Sequence, residues 1–572
     1  MKKNKKDIIR LLEEIALYLE LKGENPFRIS AYRKAAQALE RDIRSLEEIE
    51  DLTTVAGIGK GTNELIVEYI ETGESQTLTD LKEDVPSGLI PLLKVPGLGG
   101  KRLSTLYKEL NVVDAESLKT VCEDGSIKNI RGFGAKTVQN ILQGLKQLGT
   151  RPERLAISDM LPIANDIEAY LQSIEDISRY SLAGSLRRLE ETVKDIDFII
   201  VASNLEHVRE KLVTIPHVKE VIANGNTKVS VTVTYDYDIN VDFRIVSDEE
   251  FATTLHHFTG SKEHNVLMRQ RAKKRGEKIN EYGVVVEETN ELIHFETEEA
   301  FFNHFNLQYI PPELRQGKEE VERFEQNIPL LKKEDIRGDL HMHTTWSDGA
   351  QSLEEMAERA RTLGYEYIAI TDHSKFLKVA NGLDETRLRQ QKEEINRLNE
   401  KYDDLTILAG VEMDILPDGT LDFSDEFLQE MDLVIATIHS SFNQTEEEIM
   451  TRLFNALENP YVDIVAHPTG RLIGRRSGYK VDVERLIHKA KETNTALELN
   501  SNPHRFDLAP HYLQLAEENG VKLAINTDAH SFNMLKHMDY GVRVANKAYI
   551  QRQSVINTWS KDDLLAFLKR NH

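Results

Sequence analysis

The 572-residue sequence contains a single cysteine, Cys122. One cysteine excludes an intrachain disulfide and any metal site that is built from several thiolates. Such sparse cysteine use is typical of proteins that work in a reducing compartment, and a cytoplasmic location is therefore expected.

Long hydrophobic runs are also missing. No apolar stretch approaches the roughly 20 residues that a membrane helix needs. The lysine-rich start at 1–6 is followed by Asp7, Glu13 and Glu14, which predicts an amphipathic helix instead of a signal peptide. No membrane partner is expected.

Positive charge is in the minority, because 72 lysines and arginines stand against 96 aspartates and glutamates, a formal net charge of −24. This balance argues against attraction of the whole chain to nucleic acid, since phosphate affinity comes largely from Lys and Arg. Local basic clusters are nevertheless present at 269–275 and at Lys101-Arg102. DNA binding through such patches stays open, and the length predicts three to five domains.

Three carboxylates are predicted to meet on neighbouring strands. Asp195 and Asp197 stand two apart at the start of an apolar run, so both project from one face of a strand. Asp242 lies on the polar face of a second alternating run, 239–245. Clustered carboxylates without counter-charge repel one another unless cations bridge them, and Mg²⁺ prefers oxygen ligands. A lone Asp-x-Asp pair is more often solvated edge residues, but here a Gly184-Ser185 turn with Arg188 precedes it and offers donors to phosphates.

This stretch closely resembles the palm of family X DNA polymerases. The resemblance implies that Asp195, Asp197 and Asp242 hold two Mg²⁺ or Mn²⁺ ions, and that Asp242 activates the primer 3′-hydroxyl. It also implies that Gly184, Ser185 and Arg188 grip the phosphates of an incoming dNTP.

A later segment is similar to the part of the family's thumb that selects the nucleotide. It implies that Phe258 and Gly260 flank the sugar, beside His257, that Asn265 contacts the base, and that Arg269 touches the template. His257 stands where tyrosine is common in the family, and Lys262 stands where an acid is common.

Three Gly-x-Gly turns in the first 150 residues each lie between helical segments, so they do not fit the dinucleotide-binding pattern, which follows a strand. They resemble helix-hairpin-helix motifs, whose glycines let the backbone N–H groups of a helix approach DNA phosphates. One copy alone would be an ordinary helix–helix turn. The family's lyase lysine has no counterpart, because Leu65 takes its place. The residues predicted to contact DNA here are Gly57, Gly59, Gly97, Gly99, Lys101, Gly132 and Gly134.

The last 235 or so residues contain seven apolar strand-like runs, each followed by metal-binding residue types. Ligands at the carboxyl ends of successive parallel strands converge at one end of a barrel. Any one of these histidines alone is more often structural, but nine such residues at strand ends predict a metal centre. Mixed imidazole and carboxylate ligands suit Mn²⁺, Zn²⁺ or Fe²⁺. The predicted ligands are His341, His343, Asp348, His373, Glu412, His439, His467, Asp528 and His530.

This arrangement resembles the polymerase and histidinol phosphatase (PHP) domain, which implies a distorted seven-stranded (β/α)7 barrel with up to three metal ions and phosphoesterase activity. Arg471 and Arg475 are interpreted either as phosphate ligands or as surface charge. Glu498 and Asn500 are interpreted as groups that support the metal ligands.

The sequence therefore predicts a multidomain protein: helical DNA-binding domains, an α+β nucleotidyltransferase palm and thumb, and a PHP barrel. It is expected to be a monomer that fills short gaps in DNA and trims 3′ ends in DNA repair, with abasic-site cleavage as a further activity. Two alternatives are a polymerase fused to a small-molecule phosphatase, and a DNA-binding scaffold with decayed catalysis. The expected segments are a helical domain at 1–80, a helix-hairpin-helix subdomain at 81–150, the palm at 151–246, the thumb at 247–317, a linker at 318–335 and the PHP barrel at 336–572.

Overall fold

A computed structural model describes residues 5–41, 49, 51–55, 57–93, 95, 98–130, 132–148 and 153–568. The chain divides into two compact units, Met1–Pro152 and Glu153–His572. None of the helices in these described ranges is both long and apolar enough to cross a bilayer.

The first unit is helical in its described part. Leucines and isoleucines at helical spacing on α1, such as Leu12, Ile15 and Leu19, form its core with Ile66 and Leu103 of later helices. Burial of this apolar stripe, more than helix propensity, stabilises helices of this length. The described helices are α1 (Lys5–Lys22), α2 (Pro26–Arg41), α3 (Lys60–Thr72), α4 (Gln76–Asp84), α5 (Leu89–Leu92), α6 (Gly100–Leu110), α7 (Ala115–Glu123) and α8 (Ala135–Leu148).

The second unit begins with a mixed five-stranded sheet in the strand order β2-β4-β7-β6-β5. The central strands β4 and β7 are parallel, and they place Asp197 opposite Asp242. The predicted alternation at 239–245 is confirmed, because apolar residues of β7 are buried while Asp242 is only half-buried. The elements are β1 (Leu155–Ala156), α9 (Ile157–Gln172), β2 (Ile177–Leu182), α10 (Gly184–Arg187), β3 (Thr192–Val193), β4 (Ile196–Ala202), α11 (Leu205–Leu212), β5 (Val218–Asn224), β6 (Lys228–Thr234) and β7 (Asp238–Val246).

A smaller subdomain follows, in which helices pack on a three-stranded antiparallel sheet. Buried phenylalanines, among them Phe301, Phe302 and Phe305, form its core. The elements are α12 (Phe251–Thr259), α13 (Lys262–Lys273), β8 (Glu277–Ile279), β9 (Val284–Val286), β10 (Glu291–Ile293), α14 (Glu298–His304) and α15 (Glu320–Arg323).

The remainder is a seven-stranded parallel sheet whose strands follow chain order, as the sequence predicts. A bridge between Met342 and Ala529, which follow the first and last strands, nearly closes it into a barrel. The elements are β11 (Gly338–Asp339), α16 (Leu353–Thr362), β12 (Tyr367–Ile370), α17 (Glu385–Lys401), β13 (Thr406–Asp414), α18 (Asp425–Leu428), β14 (Leu433–Thr437), α19 (Glu446–Glu458), β15 (Ile464–Val465), α20 (Val483–Thr493), β16 (Ala496–Asn500), α21 (Pro510–Asn519), β17 (Leu523–Asn526), α22 (Met538–Lys547) and α23 (Lys561–Leu568).

Two candidate active sites and a nucleic-acid interface

The palm sheet brings the three predicted carboxylates within electrostatic reach of one another. Burial, together with the neighbouring Asp195 and Asp242, raises the pKa of Asp197 to about 7. Ser230 Oγ donates to Asp242 Oδ1 at 2.5 Å, and Lys228 Nζ lies 2.8 Å from Asp242 Oδ2. A buried carboxylate with two acidic neighbours fits a divalent cation, which would relieve the repulsion.

The predicted phosphate-binding turn lies against these carboxylates. Gly184 begins the single turn α10 with a φ of +65°, and a Cβ at this position would collide with the carboxylate of Asp197. Arg188, at the end of the turn, is largely buried and donates to the backbone carbonyl of Thr259. Its Nε is buried without a hydrogen-bond partner, so the guanidinium retains capacity for an anion.

A cavity of about 350 Å³ joins this arginine to the predicted nucleotide-selecting segment. One wall is fixed by Asn265, whose Nδ2 donates to His257 O at 2.8 Å. The Oδ1 of Asn265 is buried without a hydrogen-bond partner. Gly184 and Ser185 are the predicted nucleotide-binding residues that do not line this cavity. The lining residues are Arg188, His257, Phe258, Thr259, Gly260, Lys262, Asn265 and Arg269.

The barrel brings all nine predicted metal ligands together. Glu412 is the centre of this cluster, because its carboxylate lies 2.8 Å from His373 Nδ1, 3.0 Å from His467 Nε2 and 3.4 Å from both His341 Nε2 and His439 Nε2. Glu412 lies in β13, two residues before that strand ends at Asp414. Three groups have ligand atoms within 4.8 Å of one another: His343 with Asp348, His373 and His530; His341 with His343 and Asp528; and His373 with Glu412 and His439.

The donor atoms of this cluster fit metal ions. Buried nitrogens of His341, His343 and His373, and Oε2 of Glu412, have no hydrogen-bond partner. Burial and the nearby His530 and His373 lower the pKa of His343 to about 3, so its imidazole is neutral, as a metal ligand must be. Among the described residues only the barrel reaches this density of ligands, and the palm carboxylates are spaced more widely.

Buried acids orient the ligand histidines. Glu498 Oε1 accepts from His341 Nδ1 at 2.7 Å, and Asn500 Nδ2 donates to Asp528 Oδ2 at 3.1 Å. Both residues therefore contact predicted metal ligands, as the sequence suggested. Asp414, which the sequence reasoning missed, lies 3.2 Å from His439 Nδ1. Its spacing of two from Glu412 on one strand was the available signal.

The two arginines that were interpreted either as phosphate ligands or as surface charge contact the palm. Arg471 pairs with Glu191 of the palm at 2.7 Å, and Arg475, largely exposed, lies 3.5 Å from Asp159. Both point to the palm, so their interpretation as phosphate ligands is not supported. Arg505 lies closer to the metal ligands, with its Nε 3.6 Å from Asp528 Oδ2. No local sequence pattern signals that proximity.

The described parts of the three Gly-x-Gly turns share one backbone hydrogen bond. In each turn the apolar residue between the two glycines is buried, and its N–H donates to the backbone carbonyl of the apolar residue three positions earlier. The pairs are Ile58 with Val55, Leu98 with Val95 and Phe133 with Ile130, at 3.0–3.2 Å. The second glycines, Gly59, Gly99 and Gly134, are exposed, and no protein atom lies within 4 Å of a Cβ placed there.

These turns open directly into helices α3, α6 and α8. Gly57 and Gly132 adopt φ of +114° and +96°, a region that favours glycine. Lys101, on the first turn of α6, is exposed. Gly97 lies outside the described residues. The exposed backbone at three helix starts is suited to phosphate contacts.

Family models match four parts of the chain. The model described as "DNA polymerase beta thumb" matches residues 254–316, and the one described as "PHP domain" matches 339–502. A "Helix-hairpin-helix domain" model matches 3–75, and a "SAM-like Helix-hairpin-helix tandem" model matches 89–147.

Known proteins resemble the chain over nearly its whole length or over part of it. The "DNA polymerase/3'-5' exonuclease PolX" of Bacillus subtilis is 56% identical over 568 residues, 99% of this chain and 100% of that protein. "Probable phosphatase TTE1963" of Caldanaerobacter subterraneus is 29% identical over 242 residues, 40% of this chain and 90% of that protein. The full-length similarity, together with the thumb and PHP matches, shows that the chain belongs to the family X DNA polymerases that carry a C-terminal PHP domain.

Proposed function

We propose that this chain fills short gaps in DNA with dNTPs by two-metal phosphoryl transfer and removes nucleotides from 3′ ends in its barrel. The two activities together suit DNA repair, in which an end is trimmed and then extended. The observation that carries the polymerase proposal is the cavity that joins Arg188 to the segment from His257 to Arg269, beside the three palm carboxylates.

In the palm, Asp195, Asp197 and Asp242 would hold Mg²⁺ or Mn²⁺, which stabilise the attacking and leaving oxygens of an in-line displacement. Lys228 and Ser230 fix the orientation of Asp242, which would accept the proton of the primer 3′-hydroxyl. Arg188 would bind the triphosphate through its guanidinium, whose Nε has no hydrogen-bond partner, while Phe258, Gly260 and Asn265 would hold the sugar and base.

In the barrel, the nine ligands would hold up to three Mn²⁺, Zn²⁺ or Fe²⁺ ions, which make water a nucleophile near neutral pH. Glu498 and Asp414 keep His341 and His439 in the orientation that directs Nε2 at Glu412. Arg505, beside Asp528, is placed to neutralise a phosphodiester at this site.

The polymerase proposal is tested with Asp242→Asn in a gap-filling assay with Mg²⁺ or Mn²⁺. Loss of the proton acceptor should lower kcat by about 10²–10⁴-fold, while 3′ trimming of single-stranded DNA persists. Gap filling at the unsubstituted rate would contradict the proposal, and unaltered trimming shows that the variant is folded.

The nuclease proposal is tested with His341→Ala. This change removes a predicted ligand whose Nε2 lies 3.4 Å from Glu412 and 3.5 Å from Asp528. Trimming should fall by more than the roughly 10–100-fold typical of changes around a metal's ligands, and gap filling should continue. The similarity to probable phosphatases favours a rival for the barrel alone. Hydrolysis of a phosphate monoester, with no cleavage of single-stranded DNA by the unsubstituted protein, would favour that rival.

A further inference from the structure

The backbone of the phosphate-binding turn is held by a helix of the barrel. Arg543 Nη2 donates to Arg187 O at 2.6 Å, and Lys547 Nζ donates to Leu189 O at 2.8 Å. The two cations lie four residues apart on α22, so they project from one face of that helix. Each binds a carbonyl that flanks Arg188.

The turn from Ser185 to Glu190 contains an unfavourable backbone conformation. Leu189 is buried and has a φ of +51°, a region that residues with a side chain rarely adopt. A buried carbonyl also requires a donor, and Lys547 supplies it to this residue. The path of the chain from Ser185 to Glu190 is therefore fixed by contacts from a different domain as well as by its own turn.

Lys547 is also linked to Arg188 through the carboxylate of Glu190. Glu190 Oε1 lies 3.8 Å from Arg188 Nε and 3.8 Å from Lys547 Nζ, and it accepts from Gln316 Nε2 at 3.1 Å. The side chain of Lys547 is only 12% exposed, so little water competes with these contacts. Glu190 is held between the two cations, and through it Lys547 restrains the guanidinium of Arg188.

Helix α22 is an integral part of the barrel. It begins at Met538, eight residues after the metal ligand His530, and its buried residues include Val542 and Ala545. Arg543 also pairs through Nε with the buried Glu313, at 3.3 Å. The helix thus joins the nuclease barrel, the end of the thumb and the phosphate-binding turn.

We infer that Arg543 and Lys547 of the barrel are positioning residues for the polymerase, which hold the turn and Arg188 in the geometry that binds the dNTP triphosphate. This inference rests on the proposed function of that turn. The barrel then serves DNA synthesis through its helix α22, in addition to its own chemistry.

The test compares full-length variants in gap filling, with KM for the dNTP and kcat measured separately. Lys547→Met should raise KM by about tenfold, since binding is weakened before chemistry, with kcat within about twofold. Lys547→Arg, which keeps a donor and the charge, should restore most of the affinity. Arg543→Met should act in the same direction. Arg552→Met is the matched control, because this barrel cation pairs with Asp335 and not with the turn.

Arg188→Met separates failure of the inference from failure of the proposed function. If Arg188→Met raises KM and Lys547→Met does not, the inference is overturned and the function stands. If neither raises KM, both are overturned. Exonuclease activity and the unfolding temperature are measured on the same samples. If kcat, exonuclease activity and unfolding temperature all fell together in Lys547→Met, and again in the milder Lys547→Gln, the role of Lys547 would be purely structural. That result would overturn the inference.

Discussion

At the scale of single residues, the barrel site depends on how each imidazole is oriented. His439 presents Nε2 to Glu412 because Asp414 holds its other nitrogen. A buried acid behind a ligand histidine fixes the tautomer and raises the basicity of the ligand. Asp414 is fully buried at the end of β13, two residues beyond Glu412. Its Oδ2 accepts from His439 Nδ1.

Asp414→Asn should therefore weaken metal binding in the barrel by about 10–100-fold. The amide keeps the shape of the side chain but can hold the wrong tautomer of His439. Titration of the metal-free protein with Mn²⁺, followed by calorimetry, measures the change. Asp432→Asn is the control, because Asp432 precedes β14 and accepts from the N–H of Ala409, five residues before Asp414 in β13. Equal Mn²⁺ affinity in the two variants would refute the role of Asp414.

At the scale of elements, the palm turn and the thumb are joined by one buried acid. Glu298 at the start of α14 binds Arg187 of α10 and the fully buried Arg315, each at 2.6 Å. Burial alone would raise the pKa of Glu298, but Arg315 and Arg187 outweigh burial and lower it to about 2. A folded-state pKa below the unfolded value means that this carboxylate stabilises the fold at neutral pH.

Glu298→Gln should lower the free energy of unfolding of this unit by about 3 kcal/mol at pH 7, which corresponds to the depressed pKa. The difference from the unsubstituted protein should be present above about pH 4.5 and should be lost as the pH falls through about 2, because below that pH Glu298 becomes protonated in both states. Denaturant unfolding at a series of pH values measures it. Glu299→Gln, at the exposed neighbouring position, should change little, and a pH-independent difference would contradict the assignment.

At the scale of the whole molecule, three exposed helix starts in one unit accompany two predicted metal sites in the other. The net charge of −24 does not supply DNA affinity, so contacts must come from local groups such as the exposed turns. Gly59 and Gly99 have φ of −88° and −101° and open surroundings, so a side chain there is free of strain and of clashes within the protein.

Gly59→Val and Gly99→Val should thus leave the unfolding temperature nearly unchanged while they weaken DNA binding. A side chain at either position blocks the approach of phosphates, and each lost hydrogen bond is worth about 0.5–1.5 kcal/mol, roughly 2- to 10-fold in Kd. Fluorescence anisotropy with gapped DNA at two salt concentrations measures this. Unchanged affinity in the double variant would show that DNA does not contact these turns.

The sequence determined much of this protein, because its key signals are local. The alternation of β7 placed Asp242 on a polar face, and seven apolar runs followed by ligands predicted the barrel, since parallel strands end at one edge. The first of the seven strand-like runs extends over 339–343 in the sequence, but in the structure only Gly338–Asp339 forms a strand. His341 and His343 leave the strand to reach the ligand cluster.

Only the tertiary structure decided which distant residues meet. Lys547 and Leu189 are 358 positions apart, and Arg471 and Glu191 are 280 apart. No periodicity or spacing carries information about such pairs, because they depend on how the barrel packs against the palm. The residues of each site could be recognised from short stretches of sequence. The contacts of the barrel helix α22 with the palm turn depend on packing alone.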